Sequence, residues 1–176
     1  MKRSFEQALE YGREGERRIM ERLRAMGVLV TPKADYVGPG RAPEQRSNDE
    51  YLTPCDLDCA HRGAAFGLQV KRKKEPTFTR MTSTWDHGFE QAHYTMYQRW
   101  QAACGIRLAL CVTEDCSADG GPGEDLYSWI DDLKVRHQWY DNRHMVYFPR
   151  AILTSIKPFL DSVVDPGPGY LEPRLL

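Results

Sequence analysis

Two short stretches decide how this chain folds: Thr53-Pro54-Cys55-Asp56-Leu57-Asp58-Cys59 and Gly67-Leu68-Gln69-Val70-Lys71-Arg72-Lys73-Lys74. Both alternate polar with apolar or small residues, the two-residue period of a half-buried β-strand. His61-Arg62-Gly63 reads as a turn, so Asp56 to Ala60 and Phe66 to Arg72 are predicted to be adjacent strands of a hairpin. Twelve residues lie between Asp56 and Gln69, a spacing that brings their side chains to the same end and face. Gln69 and Lys71 share that face, while Leu68 and Val70 take the other. A carboxylate, a carboxamide oxygen and the main-chain carbonyl of Val70 are hard oxygen donors, the kind a magnesium ion prefers. A lysine beside them can orient or help deprotonate a metal-bound water, or counter charge developing on a phosphate. Asp58 lies on the strand face of Asp56 and is the substitute ligand if the register slips by two.

Upstream, residues 4–26 read as a helix with Ser4 as its N-cap and Gly27 as its stop. Ala8, Leu9, Ile19, Met20, Leu23 and Met26 recur at helical spacing, and Glu16 falls on the stripe of Ile19 and Met20. A carboxylate turned towards a core needs a partner, so Glu16 is expected to reach the metal site directly or through water. Glu14 is rotated away and reads as a solvated acid. Val28 to Val30 begins a short strand, and the polar segment 31–53 reads as a long loop.

Downstream, 75–84 reads as irregular and Asp86 to Ala103 as a helix carrying Phe89, Ala92, Met96, Tyr97 and Trp100. Ile106 to Thr113 is nearly all apolar, which suits a central strand covered on both faces. A loop over 115–125, a strand from Met145 to Phe148 and a short helix from Pro149 to Leu160 complete the order. Together these predict an α/β fold, a central mixed β-sheet flanked by helices, with residues 1–164 as one domain and 165–176 as a tail.

Composition bounds the function. The chain has 176 residues, 41% hydrophobic and 28% charged, as expected of a globular domain. No apolar run approaches the ~20 residues of a membrane span, and the charged start MKRSFEQALEYGREGERR predicts a cytoplasmic protein. Net charge is −1, yet Arg13, Arg17, Arg18, Arg22 and Arg24 crowd one helix and Lys71 to Lys74 form a basic run. A near-neutral total can therefore hide one basic face. The cysteines at 55, 59, 104, 111 and 116 lack the CxxC knuckles of structural zinc sites and read as reduced thiols. His87, His93, His137 and His144 read as surface or core residues, although His93 with Tyr94 and Tyr97 could contact a substrate. Trp85, Trp100, Trp129 and Trp139 are read as core or interface packing.

The run GREGERRIMERLRAMGVLVTP resembles the opening of PD-(D/E)XK nucleases, and Asp56-Leu57 followed by Gln69-Val70-Lys71 resembles their remaining motifs. The resemblance covers roughly residues 10–74, with glutamine in place of the commoner acid, as in some homing-endonuclease-like members. The opening is also similar to that of archaeal-type Holliday junction resolvases. Two features depart from the pattern: Pro54 stands two residues before Asp56 rather than one, and Gln69 carries no charge. The resemblance implies a restriction-endonuclease-like core and Mg²⁺- or Mn²⁺-dependent cleavage of DNA, branched DNA included, by a homodimer. It places Glu16, Asp56, Gln69 and Lys71 at the catalytic centre, with Arg17, Arg72, Lys73 and Lys74 as DNA contacts. A restriction- or homing-type endonuclease and a non-catalytic DNA-binding module are the alternatives.

Overall fold

A computed structural model describes residues 4–33, 45–47 and 50–164. The tail expected over 165–176 and residues 34–44 and 48–49 of the expected loop lie outside the described residues. Ser4 caps helix α1 (Phe5–Ala25): the Gln7 N–H donates to its hydroxyl at 3.2 Å, and the Ser4 N–H donates to Gln7 Oε1 at 2.9 Å. This reciprocal pair satisfies donors that a helix start otherwise leaves without partners. Gly27, at φ 79°, turns the chain out of the helix and into β1 (Leu29–Pro32). The expected loop contains a two-stranded ribbon, β2 (Gln45–Ser47) and β3 (Glu50–Leu52).

The expected hairpin is β4 (Leu57–His61) and β5 (Ala64–Lys73), joined at Arg62 and Gly63, both at positive φ. Next come β6 (Thr77–Thr79), β7 (Thr84–Glu90), α2 (Gln91–Cys104), β8 (Leu108–Glu114) and β9 (Asp125–Trp129). The chain ends with β10 (Arg136–Tyr140), β11 (Arg143–Pro149), β12 (Thr154–Ser155) and α3 (Ile156–Val164).

The central sheet runs β1-β4-β5-β8-β9-β12 and is mixed: β5 and β8 are parallel, and the other neighbours antiparallel. Helices α1 and α3 cover one face, packing Ile19, Leu23 and Phe159 against Leu68, Val70 and Cys111. On the other face, α2 and a second sheet, β10-β11-β7-β6, pack Tyr97, Trp100, Phe89, Val146 and Phe148 against Leu108, Leu110 and Val112. Every residue of β8 is buried, as its apolar run requires. Two of the basic residues crowding α1 are structural, since Arg18 and Arg22 both bond the buried Asp125 carboxylate of β9.

Several elements differ from expectation. Residues 86–90 are strand, and the helix starts at Gln91. Phe89, Ala92 and Met96 fit a helical period across that boundary, but Phe89 reaches the core from β7. A Cβ on Gly88 would lie 2.9 Å from the Val146 carbonyl of β11, so the absent side chain lets the two strands approach. The segment expected to be irregular carries β6, and β9 and β10 were not expected. Strand β10 hides from hydrophobic patterning because four of its five residues are exposed. Pro149 ends β11 rather than opening a helix. Trp100 and Trp129 are core residues as expected, but Trp85 and Trp139 are exposed. The cysteines are free, with Cys55, Cys59 and Cys111 buried; burial pushes the Cys55 and Cys59 thiols up to about 12.

Gly67 marks the tightest contact between β5 and α2. A Cβ there would meet the buried Trp100 ring at 2.8 and 2.9 Å and Cys55 Sγ at 3.0 Å. Overpacking of this kind costs about 1–3 kcal/mol. Gly67→Ala should therefore lower the urea midpoint by a corresponding amount, and an unchanged midpoint would show that Trp100 can move aside.

Candidate active site

The site forms because β4 is shorter than β5. Leu57 faces Leu68 in the antiparallel register, so the preceding residue, Asp56, stands opposite Gln69 just before β4 begins. The Gly67 N–H donates to the Arg107 carbonyl at 2.9 Å and the Lys73 carbonyl accepts from the Asp115 N–H at 2.9 Å, so alternate residues of β5 turn their main chain towards β8. Val70 lies between them and turns its N–H and C=O to the opposite side, beyond the start of β4. There its N–H donates to Asp56 Oδ2 at 2.8 Å, and the Gln69 side-chain amide donates to the same oxygen. The carboxylate thus takes the place of the missing strand, and the Val70 carbonyl opens on the same side.

Lys71 follows on the face of Gln69. Its ammonium lies over the Tyr97 ring, 5.6 Å from the ring centre. Burial pulls the Lys71 pKa down, but Tyr97, Asp56 and Glu16 outweigh it, leaving the group above the ordinary lysine value. It is therefore an ammonium across neutral pH, suited to countering negative charge rather than to accepting a proton. Burial pushes the Asp56 carboxyl above its usual range, against the pull of Lys71, the Val70 N–H and the Gln69 amide. Glu16 is half-buried on α1 and close enough for its charge to act on Lys71.

The structure sorts the remaining predicted residues. Asp58 is opposite Gly67 and bonds Lys33 at 2.9 Å, which takes it away from Lys71. Glu14, read as a solvated acid, is half-exposed but pairs with Arg72. Arg72 also donates to Asp115 at 2.8 Å and covers the Tyr11 ring at 4.1 Å, so its guanidinium is committed to the α1 side. The Lys73 ammonium donates to the Gly88 carbonyl at 2.7 Å, and burial together with Lys71 lowers its pKa to about 8. Arg17 is exposed, and Lys74 is exposed with Glu75 3.7 Å away. Of the four expected DNA contacts, Arg17 and Lys74 face solvent, while Arg72 and Lys73 are turned to protein partners. His93 stacks on Tyr97 with centroids 6.3 Å apart, and burial and Lys71 lower its pKa. The placing of Lys71 over the Tyr97 ring was not anticipated from sequence; a cation next to a core gains from an aromatic face, and Tyr97 on α2 supplies it.

The donor set fits a hard divalent ion. Among the described residues no group of three His, Cys, Asp or Glu is placed to hold a metal, so an ion here would rest on Asp56, Glu16, the Gln69 carboxamide and the Val70 carbonyl. Magnesium commonly takes one or two carboxylates and keeps several waters. Half a turn of the Gln69 amide would present its oxygen in place of its NH₂.

The layers and strand order are those of a restriction-endonuclease-like fold, a central mixed sheet flanked by helices. A protein of similar fold is Hjc, a Holliday junction resolvase from the archaeal hyperthermophile Archaeoglobus fulgidus; the TM-score is 0.56 over 85% of this chain and 99% of that one, at 11% identity. D212, a nuclease from a fusselovirus, aligns over 93% of this chain and 94% of its own, with a TM-score of 0.47 and 9% identity. No family model and no curated protein matches the sequence.

The Asp56 pKa sets a pH dependence. A carboxyl raised in the folded state contributes stability that is complete below its ordinary value of 3.8 and is lost as pH rises through the folded value. In metal-free buffer, wild type should therefore lose stability relative to Asp56→Asn as pH climbs from acid to neutral, measured by urea unfolding. A difference that does not vary with pH would contradict the raised value.

Proposed function

We propose that the chain is a divalent-metal-dependent endodeoxyribonuclease that hydrolyses phosphodiester bonds and selects branched DNA, in the manner of a Holliday junction resolvase. The observation that carries this is the Asp56 carboxylate held by Gln69 and Val70 just before β4 begins, with the Lys71 ammonium on the face of Gln69. Asp56, Gln69, the Val70 carbonyl and Glu16 are the residues that would hold Mg²⁺ or Mn²⁺. When bound, such an ion supplies a Lewis acid and a water of lowered pKa. The chain's own part is electrostatic: Lys71, kept protonated and oriented by Tyr97, counters charge building on the scissile phosphate. The likeness in fold to Hjc favours a junction over linear duplex. Pairing of two protomers would give a chain of net charge −1 a wider basic surface, with Arg17 and Lys74 at each centre.

A titration of Mg²⁺ against cleavage of a four-way junction, a linear duplex and single-stranded DNA tests this. Cleavage should require the ion and favour the junction; duplex cut at fixed sequences would point to a restriction-type enzyme. Asp56→Ala and Lys71→Ala should each lower the rate by about 100-fold or more, with the fold kept by circular dichroism. Glu16→Gln should impair cleavage more than Glu14→Gln, because Glu14 serves Arg72. Near-normal cleavage by either alanine variant would remove the site.

Gln69→Glu separates a metal contact from a structural one. It places a second carboxylate beside Asp56, so unfolding without metal should become easier while half-maximal activity needs less Mg²⁺. An unchanged or higher Mg²⁺ requirement would mean that Gln69 serves Asp56 alone.

A further inference from the structure

The tip of the β10–β11 hairpin carries an exposed ring stack that neither the fold nor the proposed catalytic centre uses. Trp139 is 70% exposed and Tyr140 64%. A tryptophan left this open forgoes much of the largest apolar burial any side chain offers. The hairpin is nevertheless well defined. Arg136 to Tyr140 pair in register with Tyr147 to Arg143, and the turn residues Asp141 and Asn142 sit at φ 48° and 59°, as a tight two-residue turn requires. His144 lies parallel to Trp139, centroids 5.1 Å apart at 11°, and His137 packs against His144 at 5.7 Å. One indole face is therefore backed by an imidazole, and the other meets solvent.

The position of the stack relates it to the active site. His137, Trp139 and His144 share the sheet face of Val146 by strand period and register. Val146 is opposite Phe89 of β7, and Phe89 packs on Tyr97 at 5.8 Å, the ring beneath Lys71. His144 and Trp139 extend the same face beyond Glu90, where β7 passes into α2. One sheet face thus carries Phe89, which packs on Tyr97 beneath Lys71, then Val146, then the ring stack at the hairpin tip. The opposite face of the hairpin holds Arg136 and Arg143, which are ion-paired with Asp86 and Glu90 and leave the ring stack to its own face.

We propose that the Trp139–His144 stack is a platform for an unpaired nucleobase of the DNA cut at the Asp56–Lys71 site. A flat ring with one face open accepts any base by stacking. In duplex DNA the base faces cover one another, so such a platform selects a strand with an unpaired or terminal base beside the cut. The proposal rests on the nuclease reading for its substrate but not for its test.

The test uses the full chain in chelator, so that cleavage plays no part, with a short oligothymidylate and a closed-ended duplex as probes. Trp139→Ala should weaken oligothymidylate binding by about tenfold or more, change duplex binding much less, and abolish most of the emission quenching caused by the oligonucleotide. Trp139→Phe should restore much of the affinity. Equal binding by wild type and Trp139→Ala, an equal loss on both probes, or light scattering showing that Trp139→Ala dissolves a dimer would each overturn the platform. If the nuclease reading alone fails, wild type cleaves nothing with Mg²⁺ while the binding difference persists. If the platform alone fails, wild type cleaves and the difference is absent.

Discussion

Because β4 begins only at Leu57, opposite Leu68, the Val70 main chain of β5 would be left without a strand partner on that side, and the Asp56 carboxylate fills the gap. Much of the site follows from that substitution. The same strand period that points Val70 and Leu68 into the α1–α3 layer points Gln69 and Lys71 towards α2. Gln69 then bonds Asp56, and Lys71 finds Tyr97. A strand end and a length difference between neighbours therefore bring a polar cluster together between the sheet and α2.

Holding a carboxylate and an ammonium there is costly. Burial opposes the charge of both Asp56 and Lys71, and what sustains it is their mutual attraction, the hydrogen bonds that the Val70 N–H and the Gln69 amide donate to Asp56, and the Tyr97 ring beside Lys71. Asp56 remains raised despite these partners, so the fold is strained electrostatically at the point where a divalent cation would relieve it. Stability forgone at a site is a common mark of function. The second basic layer has a different role. Arg18 and Arg22 bind Asp125, and Arg72 binds Glu14 and Asp115, which fastens α1 to the sheet and turns these charges to carboxylates rather than to solvent.

The hairpin from 57 to 73, α1 with its Ser4 cap and the buried strand β8 were legible in the sequence because local pattern and tertiary environment agree there. The opposition of Asp56 to Gln69 was legible too, since it needs only turn length and strand period. Patterning misled where the environment changed within a segment. Phe89 fits the helical stripe of α2 but belongs to β7, and β10 has too little buried surface to show a period. The commitments of Arg72 and Lys73 depend on Asp115, Glu14 and Gly88, partners remote in sequence, so a basic run could not reveal which of its charges meet solvent.

The central claim is that Asp56, not its neighbour Asp58, anchors a divalent ion at the end of β4. Binding of Mn²⁺ followed by electron paramagnetic resonance, in the absence of DNA, tests it most directly. The free-ion signal should fall as wild type or Asp58→Ala is added and stay unchanged with folded Asp56→Ala. Loss of binding in Asp58→Ala with retention in Asp56→Ala, or equal binding by both variants, would contradict the account.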